Sequence, residues 1–187
     1  MLKFIIAILL LGVIACNQTQ SESDTQTLDF GLFTIEAPQS WTKIKVQGLD
    51  SYVGRIAIEN KDTLDFDLGM YSNKLYETDP TILDSSFIGS IDTNAVDPAS
   101  IIFVKDRRFI DPDKYRKNNI SWDTIDGRRA KIVYPRQSGI GTTGVYIDSL
   151  WTSHSYLQHF NLYGENLQPG NEKKVLAVLR TLKFHKK

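Results

Sequence analysis

Asp148 and His159 form the one acid–base pair that can be built from the sequence and its predicted strands. If neighbouring strands turn at Thr152-Ser153, Tyr146 pairs with His159 and Asp148 lies diagonal to the imidazole. A carboxylate beside an imidazole occurs in hydrolytic sites, but those sites also need an activated nucleophile. The sequence has no G-x-S-x-G, S-x-x-K or Cys–His arrangement that would provide one. The pair is therefore either part of a small hydrolase site or, more simply, an ordinary contact on the surface of a sheet.

Residues of metal-binding types occur without the spacing that a metal site needs. His154 and His159 are five residues apart, so on one strand they face opposite sides of a sheet. Asp62, Asp65 and Asp67 do not follow the D-x-[DN]-x-[DN]-G spacing of a calcium loop. We therefore expect solvated acidic side chains at these positions, no metal site and no cofactor.

A glycine-rich stretch at residues 139–144 has the spacing G-x-G-x-x-G. Its glycines are Gly139, Gly141 and Gly144. In dinucleotide-binding proteins a helix begins there and directs its N-terminus at the pyrophosphate, whereas here residues 145–148 are typical of a strand. The dinucleotide interpretation therefore fails. The stretch is either a flexible loop or, with Arg136 nearby, a nest of backbone N–H groups for an anionic ligand.

A run of basic and aromatic residues is the strongest sign of a binding surface. Its members are Arg107, Arg108, Phe109, Tyr115, Arg116, Lys117 and Trp122. Cationic and aromatic side chains together bind nucleic acids, anionic glycans and proteins. Asp106, Asp111 and Asp113 interrupt the positive charge, so a solvated loop is the alternative. The choice among these partners depends on where the protein is located.

The chain has no net charge, but its charges are unevenly placed. Residues 17–104 contain 5 basic and 14 acidic side chains, whereas residues 105–187 contain 16 basic and 8 acidic ones. No overall field favours nucleic acid or an anionic membrane surface. The two halves either neutralise each other as neighbours in one domain or leave a basic face for a partner.

The first fifteen residues have the features of an export signal. Lys3 provides a positive start, and the following segment from Phe4 to Ala15 contains no charge. A helix of this length is about 18 Å long, which is too short for a hydrocarbon core of about 30 Å. Residues 1–15 are therefore predicted to be a signal peptide rather than a membrane-spanning helix.

The single cysteine of the chain follows this segment directly. Val13-Ile14-Ala15-Cys16 resembles the lipobox of bacterial lipoproteins. The resemblance implies cleavage before Cys16 and acylation of that residue, with palmitate among the chains, so that several chains anchor the protein in a membrane. It also implies transfer to the outer membrane, because Asn17 and not aspartate follows the cysteine. A free or disulfide-bonded thiol is the alternative, which an unpaired cysteine in an exported protein makes less attractive.

Residues 16–27 are predicted to connect this anchor to a single globular domain, residues 28–187. The segment 17–27 is polar and, as a flexible chain, spans about 18 Å. A domain of about 160 residues buries enough surface for one core without metals or disulfides.

Two hairpins are predicted from alternating apolar residues around turn signals. The first has a three-residue loop, Asn60-Lys61-Asp62, and pairs Ile58 with Leu64, Ile56 with Phe66 and Arg55 with Asp67. The second has Asp126-Gly127 as a type I′ turn, which sets Trp122 opposite Lys131.

The remaining elements are predicted from breakers and from the spacing of apolar residues. Further strands are expected at 32–37, 101–105, 144–151 and 156–163. Val175, Leu179 and Leu182 have helical spacing after Pro169-Gly170-Asn171, and a short strand is expected at 182–184. A weaker helix is expected to begin at Asp79-Pro80 and to carry Leu83, Phe87 and Ile91.

These elements indicate an α+β fold, in which one or two helices cover a face of an antiparallel sheet. The domain resembles the PsbP-like α/β/α sandwich at residues 33–38 running into Trp41, at 160–164 and at 182–184. It is also similar to a family of uncharacterised bacterial lipoproteins that share DSYVGRI, IDGRRAKIVYP and TGVYIDSLW. The first resemblance implies a docking or accessory role, and the second implies no assigned activity.

The sequence thus predicts a lipid-anchored protein of the cell envelope that is a partner-binding or accessory module rather than an enzyme. Its contacts would be the membrane, through Cys16, and an envelope protein or glycan. Nucleic acid is not expected, because the chain is predicted to be exported. The alternative is a small hydrolase or an anionic-ligand-binding protein that uses the 136–144 loop with Asp148 and His159.

Overall fold

The computed structural model of the chain describes residues 24–77, 80–92, 101–153 and 155–185. In chain order its strands are β1 Thr25–Asp29, β2 Phe33–Pro38, β3 Thr42–Ile44, β4 Tyr52–Ala57, β5 Thr63–Gly69, β6 Thr81–Asp84, β7 Ile101–Val104, β8 Asn118–Ile125, β9 Arg128–Pro135, β10 Thr142–Ile147, β11 Thr152–Ser153, β12 Tyr156–Leu157, β13 His159–Glu165 and β14 Lys183–Phe184. The α-helix α1, Pro169–Leu179, lies between β13 and β14.

Seven strands form one antiparallel sheet in the order β3-β4-β5-β13-β10-β9-β8. A second sheet has the order β1-β2-β14 and joins the beginning and the end of the described chain. Two further pairs, β11 with β12 and β6 with β7, lie outside these sheets. The β6–β7 pair is parallel, and the other pairs of strands in the described residues are antiparallel.

The core lies between the seven-stranded sheet and a second layer, which consists of the three-stranded sheet and α1. The ring of Phe33 packs edge-on against Phe66 and Phe160, at 5.0 and 4.9 Å between ring centroids. Val175 and Leu179 of α1 are fully buried in the same cluster. Burial of such side chains contributes about 1.5–3 kcal/mol each, so this layer holds the fold together. The predicted α+β fold, an antiparallel sheet covered by a helix, is confirmed.

The helix α1 forms after the predicted breakers. Pro169 lies in its first turn, where the missing N–H of proline has no intrahelical partner to lose. Arg180 ends the helix and donates its backbone N–H to the carbonyl of Ala177 at 3.2 Å. Leu182 therefore lies outside the helix, directly before β14, which confirms the predicted short strand. Within the described ranges no helix is long and apolar enough to cross a membrane.

The second predicted helix is wrong. Thr81–Asp84 is the strand β6, which pairs in parallel with Ile101–Val104, and a 3-10 helix at Ser85–Ser90 follows. This non-local pairing prevails over the helical spacing of the apolar residues. Asp79, which was expected to cap the helix, lies outside the described residues.

The hairpin of β8 and β9 is confirmed with its predicted register. Trp122 lies opposite Lys131, and Ile125 lies opposite Arg128. Asp126 and Gly127 have φ values of 49° and 72°, as a type I′ turn requires.

The hairpin of β4 and β5 forms, but its predicted register is wrong by two residues. Arg55 pairs with Asp65 and not with Asp67, and Ile56 pairs with Leu64. The loop is longer than expected, because Asn60 and Lys61 both adopt positive φ values, 58° and 66°, and the N–H of Ile58 donates to the carbonyl of Asp62 at 3.0 Å. A shift of two residues leaves every side chain on its predicted face.

The strand predicted at 144–151 ends earlier, at Ile147, and its register with β13 also differs by two residues. Tyr146 lies opposite Asn161 and not opposite His159. The reason is that the chain turns between Ser153 and Tyr156, within the small β11–β12 pair, instead of at Thr152-Ser153.

Candidate functional site

The outer face of the seven-stranded sheet, which is turned away from the core, is covered in part by residues 72–77. We call these residues the crossing segment. Its Leu75 packs against Val133, Tyr146 and Tyr163 on the outer face, apart from the main core. The crossing segment therefore has a fixed position on the sheet, and side chains on either side of Leu75 are placed with it.

Lys131 and Tyr76 form a cation and ring pair at this position. Lys131 of β9 is only 2% exposed, and its Nζ lies 3.8 Å from the centre of the Tyr76 ring. The same Nζ donates to the backbone carbonyl of Lys74. Burial, and then the charge of Lys74, lower the pKa of Lys131. Tyr76 itself is 73% exposed, so the buried ammonium holds a ring whose other side meets solvent.

Trp122 of β8 is held in a similar way by Arg129 of β9. The guanidinium carbon of Arg129 lies 3.8 Å from the centre of the indole ring. Trp122 lies opposite Lys131 in the sheet, so its side chain also points to the outer face. The ring is nevertheless 52% exposed. An indole that is fixed by a stacked cation and remains half open to solvent is a ready contact for a partner.

Four exposed residues of this region form what we call the edge patch: Tyr76, Ile120, Trp122 and Arg129. Ile120 lies opposite Val133 and is half exposed on the same face as Trp122. Large apolar side chains that are exposed together, beside cations, are typical of protein-binding surfaces. The edge patch lies where β8, the outermost strand of the sheet, borders the crossing segment.

The predicted basic and aromatic residues are only partly brought together. Arg108 pairs with Asp106 at 2.7 Å, and Arg116 pairs with Asp113 at 2.7 Å. The hydrogen bond from Arg108 keeps the pKa of Asp106 below its usual value. These pairs remove part of the positive charge on which the sequence-based expectation depended.

The other members of that run lie in two places. Arg107, Arg108 and Phe109 form a 3-10 turn after β7, where the Phe109 ring is exposed below the Arg108 guanidinium. Tyr115 ends a second 3-10 turn, Pro112–Tyr115, and Lys117 directly precedes β8. The N–H of Asn118 donates to the Glu77 carboxylate at 2.9 Å, which ties the start of β8 to the crossing segment. Of the predicted residues, Trp122 therefore belongs to the edge patch, and Lys117 directly precedes the same strand.

Sequence reasoning missed Tyr76, Ile120 and Arg129. The predicted hairpin is sufficient to place Ile120 and Arg129. Ile120 is two residues from Trp122 on β8 and shares its face, and Arg129 is two residues from Lys131, the residue opposite Trp122. Tyr76 comes from a distant segment without regular structure, so no local pattern predicts its place.

The glycine-rich loop is closed by the chain's own carboxylate and amide groups. The N–H of Gly139 and the hydroxyl of Ser138 each donate to a different Glu172 carboxylate oxygen, at 2.6 Å. The N–H of Gly141 donates to the Asn166 side chain at 2.8 Å. The first turn of α1 thus supplies the anion, and these donors are not open to a ligand.

Arg136 and Gly144 have structural roles. The Arg136 guanidinium donates to the backbone carbonyl of Asp113. A Cβ atom on Gly144 would lie 2.4 Å from the Cβ of Tyr163, so glycine allows β10 and β13 to pack closely at this point. Neither residue is directed at a shared binding site.

Asp148 and His159 are in contact, but not through the carboxylate. The Nδ1 atom of His159 lies 2.6 Å from the backbone carbonyl of Asp148 and 3.2 Å from the Tyr146 hydroxyl. Because a carbonyl only accepts, Nδ1 donates to it and cannot act there as a base. Burial, followed by the charge of Asp148, raises the pKa of Tyr146 to about 12. The imidazole is thus tied to the backbone, as at an ordinary sheet surface.

The 136–144 loop and the Asp148–His159 contact do not form one site. They lie at opposite ends of β10, a strand of 6 residues that rises about 3.3 Å per residue. In the part of the chain that the structure describes, no three His, Cys, Asp or Glu residues are grouped so that they could hold a metal ion.

Comparisons with known proteins give a weak likeness only. No protein-family model matches the chain, and no curated protein matches it significantly. The solution structure of cyanobacterial PsbP (CyanoP) from Synechocystis sp. PCC 6803 matches with a TM-score of 0.38 and 13% sequence identity. The match covers 89% of this chain and 96% of that one. It is a PsbP structure, as the sequence resemblance named, but a likeness of this degree carries no argument about function.

Proposed function

We propose that this protein is a lipid-anchored component of the bacterial cell envelope that binds a partner protein through the edge patch and performs no catalysis. The support is an export signal and lipobox in the sequence, and a half-exposed indole that a stacked guanidinium holds in place. Catalysis or anion binding was conceivable at the glycine-rich loop and at His159. The loop is hydrogen-bonded to Glu172, and His159 is hydrogen-bonded to the backbone of Asp148. The hydrolase alternative therefore has no geometric support.

The stacking of Arg129 on Trp122 is the single observation that carries the binding proposal. A fixed aromatic side chain loses little conformational freedom on binding, so its burial by a partner is converted efficiently into affinity. Tryptophan, tyrosine and arginine are also the side chains that dominate binding energy at interfaces. The edge patch contains one of each.

The anchor is proposed from the sequence alone, because Cys16 lies outside the described residues. The first described strand begins at Thr25, three residues before the predicted start of the domain, so residues 25–27 belong to β1 and the proposed connection is shorter than the predicted 16–27. Mass spectrometry of the native protein should find Cys16 as the N-terminal residue, with mass beyond the polypeptide. Cys16→Ser should leave the protein in the soluble fraction. Retention of Met1 would contradict the anchor and the location.

Crosslinking in intact cells tests the binding proposal. A photo-reactive amino acid at position 122 should capture one defined protein from the envelope. The matched control is position 156, because Tyr156 is also an exposed aromatic residue but lies in β12, outside the seven-stranded sheet. The same set of abundant proteins at both positions would overturn the proposal.

A further inference from the structure

The outer edge of β8 carries unpaired backbone groups. Within the seven-stranded sheet β8 is the last strand, and β9 is its neighbour on one side. In an antiparallel pair, alternate residues direct their N–H and C=O groups away from the partner strand. The N–H of Arg136 donates to the carbonyl of Lys117 at 2.7 Å, and the tight turn closes on Ile125 and Arg128. The backbone N–H and C=O groups of the odd-numbered residues of β8 are therefore directed at β9. Those of the even-numbered residues are directed away from β9, at the open edge of the sheet.

Carboxylates close both ends of this outward row. The N–H of Asn118 donates to Oε2 of Glu77 at 2.9 Å, and the N–H of Thr124 donates to Oδ1 of Asp123 at 2.7 Å. Between these ends, the outward backbone groups of Ile120 and Trp122 have no hydrogen-bond partner within the described ranges. Among the described residues, the edge is therefore open over residues 120–122 and its N–H groups are occupied on either side.

The outermost strand at the opposite edge of the same sheet is short and basic. β3 has only 3 residues, and it contains Lys43 and is followed by Lys45. Short edge strands and lysines prevent pairing with other chains. β8 has 8 residues and contains neither lysine nor proline. β8 is thus the longer of the two outermost strands and the one without lysine.

The open stretch coincides with the exposed side chains of the edge patch. Ile120 and Trp122 provide both the free backbone groups and two half-exposed apolar side chains on the outer face. A strand added at this edge would place alternate side chains beside the Trp122 ring, at the spacing of neighbouring strands. Main-chain hydrogen bonds would then provide affinity, and the indole would select the side chain next to it.

The charge around the edge favours an acidic partner. Asp113 and Asp123 are each bound to an arginine of the chain, Arg116 and Arg180. The side chains of Lys114, Lys117 and Arg129 form no ion pair among the described residues, although the Glu77 carboxylate accepts from the backbone N–H of Lys117. A second copy of this chain would bring the same cations together, which is unfavourable.

We propose that an extended, acidic segment of a partner protein adds to the seven-stranded sheet along residues 120–122 of β8. This inference rests on the proposed function, because it names how the edge patch binds. The segment runs beside β8, exchanges backbone hydrogen bonds with Ile120 and Trp122, and directs alternate, acidic side chains to Arg129 on the outer face.

Amide hydrogen exchange on the full-length protein in detergent tests this mode of binding. The probe is a blocked peptide of about ten residues in which valine and glutamate alternate, and the matched control has lysine in place of glutamate. The glutamate peptide should slow exchange at the Ile120 and Trp122 amides. The Ser121 amide faces β9 and should be unchanged, so it serves as the internal reference. A shift of the Trp122 indole signal without amide protection would overturn strand addition.

Two substitutions at one position separate the backbone from the side chain. Ile120→Pro removes the outward N–H but no hydrogen bond to β9, so the sheet should remain folded. We expect it to weaken the glutamate peptide about tenfold or more, since both the donor and the regular edge are lost. Ile120→Thr keeps the N–H and should weaken binding by a smaller factor. Equal effects of the two substitutions would contradict the proposal, and the exchange measurement decides the matter if Ile120→Pro does not fold.

The outcomes also distinguish this inference from the proposed function. Capture of one envelope protein at position 122, without protection of the Ile120 and Trp122 amides, would leave the proposed function standing and overturn strand addition. Sedimentation showing that the full-length protein pairs with itself through this edge would also overturn it. Protection by the glutamate peptide, together with a weaker effect of the lysine peptide, would support it.

Discussion

Trp122 depends on one neighbouring side chain for its position. Replacing Arg129 by glutamine removes the stacked cation while keeping a side chain of similar length. We expect Arg129→Gln to lower the free energy of unfolding by about 0.5–1 kcal/mol, because a cation on an indole at a surface is worth roughly that amount. Urea denaturation measures the change. Arg108→Gln is the control, since Arg108 lies farther from its ring, 5.7 Å from the exposed Phe109, and its additional pair with Asp106 is at the surface, so stability should change less. A larger loss in the control would contradict the importance of the Trp122 stack.

Asp67 is a second residue with a measurable signature. Its Oδ1 atom is buried without a hydrogen-bond partner, and burial raises the pKa of its carboxyl above the ordinary value of 3.8. A carboxyl whose pKa is raised by folding binds its proton more tightly in the folded state. The free energy of unfolding therefore falls as the pH rises through that pKa. Asp67→Asn should therefore be more stable than the natural protein at neutral pH. The difference should shrink as the pH falls towards 3.8. Thermal unfolding across this range would expose the opposite trend if the carboxylate were stabilising.

At the scale of elements, turns decided which hairpin register could be predicted. Asp126 and Gly127 form the turn that their types favour, so the pairing of Trp122 with Lys131 followed from the sequence. Asn60 and Lys61 both adopt a left-handed conformation, which lysine rarely does, so no rule of turn chemistry predicts that loop. The faces of the strands were nevertheless correct, because the side-chain period of a strand is two.

Two glycines test this dependence on turn geometry. A Cβ on Gly127 or on Gly170 would meet no atom within 4 Å, but Gly127 has a φ of +72° whereas Gly170 lies in α1. Gly127→Ala should lower the free energy of unfolding by about 1 kcal/mol, and Gly170→Ala should raise it by roughly 0.5–1 kcal/mol. Denaturant titration of both variants measures the pair. Equal signs would show that the hairpin turn does not require the left-handed conformation.

The candidate site was only partly visible in the sequence for a related reason. Trp122 and Lys117 belong to a run that the sequence shows directly, and Arg129 follows from the hairpin. Tyr76 reaches the outer face because Leu75 packs on Tyr146 and Tyr163, which is a contact between distant parts of the chain. The parallel pairing of β6 with β7 is equally non-local, and it replaced the helix expected there.

At the scale of the whole molecule, the acidic and basic halves of the chain remain largely separate in their ion pairs. Arg55 pairs with Asp65 within the first half, and Arg128 and Lys183 share Asp126 within the second. Among the described ion pairs, only Lys174 with Glu59 joins the halves. Within the part of the chain that the structure describes, ion pairs thus join the two halves at one place, which is consistent with the proposed role of charge in partner binding.

This separation predicts that binding depends on salt. Raising the ionic strength from about 0.01 M to 0.15 M shortens the screening length from about 30 Å to 8 Å. The glutamate peptide should then bind more weakly, mainly through slower association. Titration of the full-length protein at the two salt concentrations measures the change. An alternating valine and serine peptide is the control and should show little dependence, whereas an equal response would argue against charge.

The three-stranded sheet brings the first and last described strands to one side of the molecule, behind the core and opposite Trp122. If the proposed anchor at Cys16 holds the protein, the connecting chain enters the domain at Thr25, on the side away from the edge patch. The edge patch would then be directed away from the attachment point and would be accessible to a partner protein. Moving the lipid attachment to the seven-stranded sheet would turn the edge patch towards the membrane. Binding of the partner should then be lost, although no residue of the patch is changed.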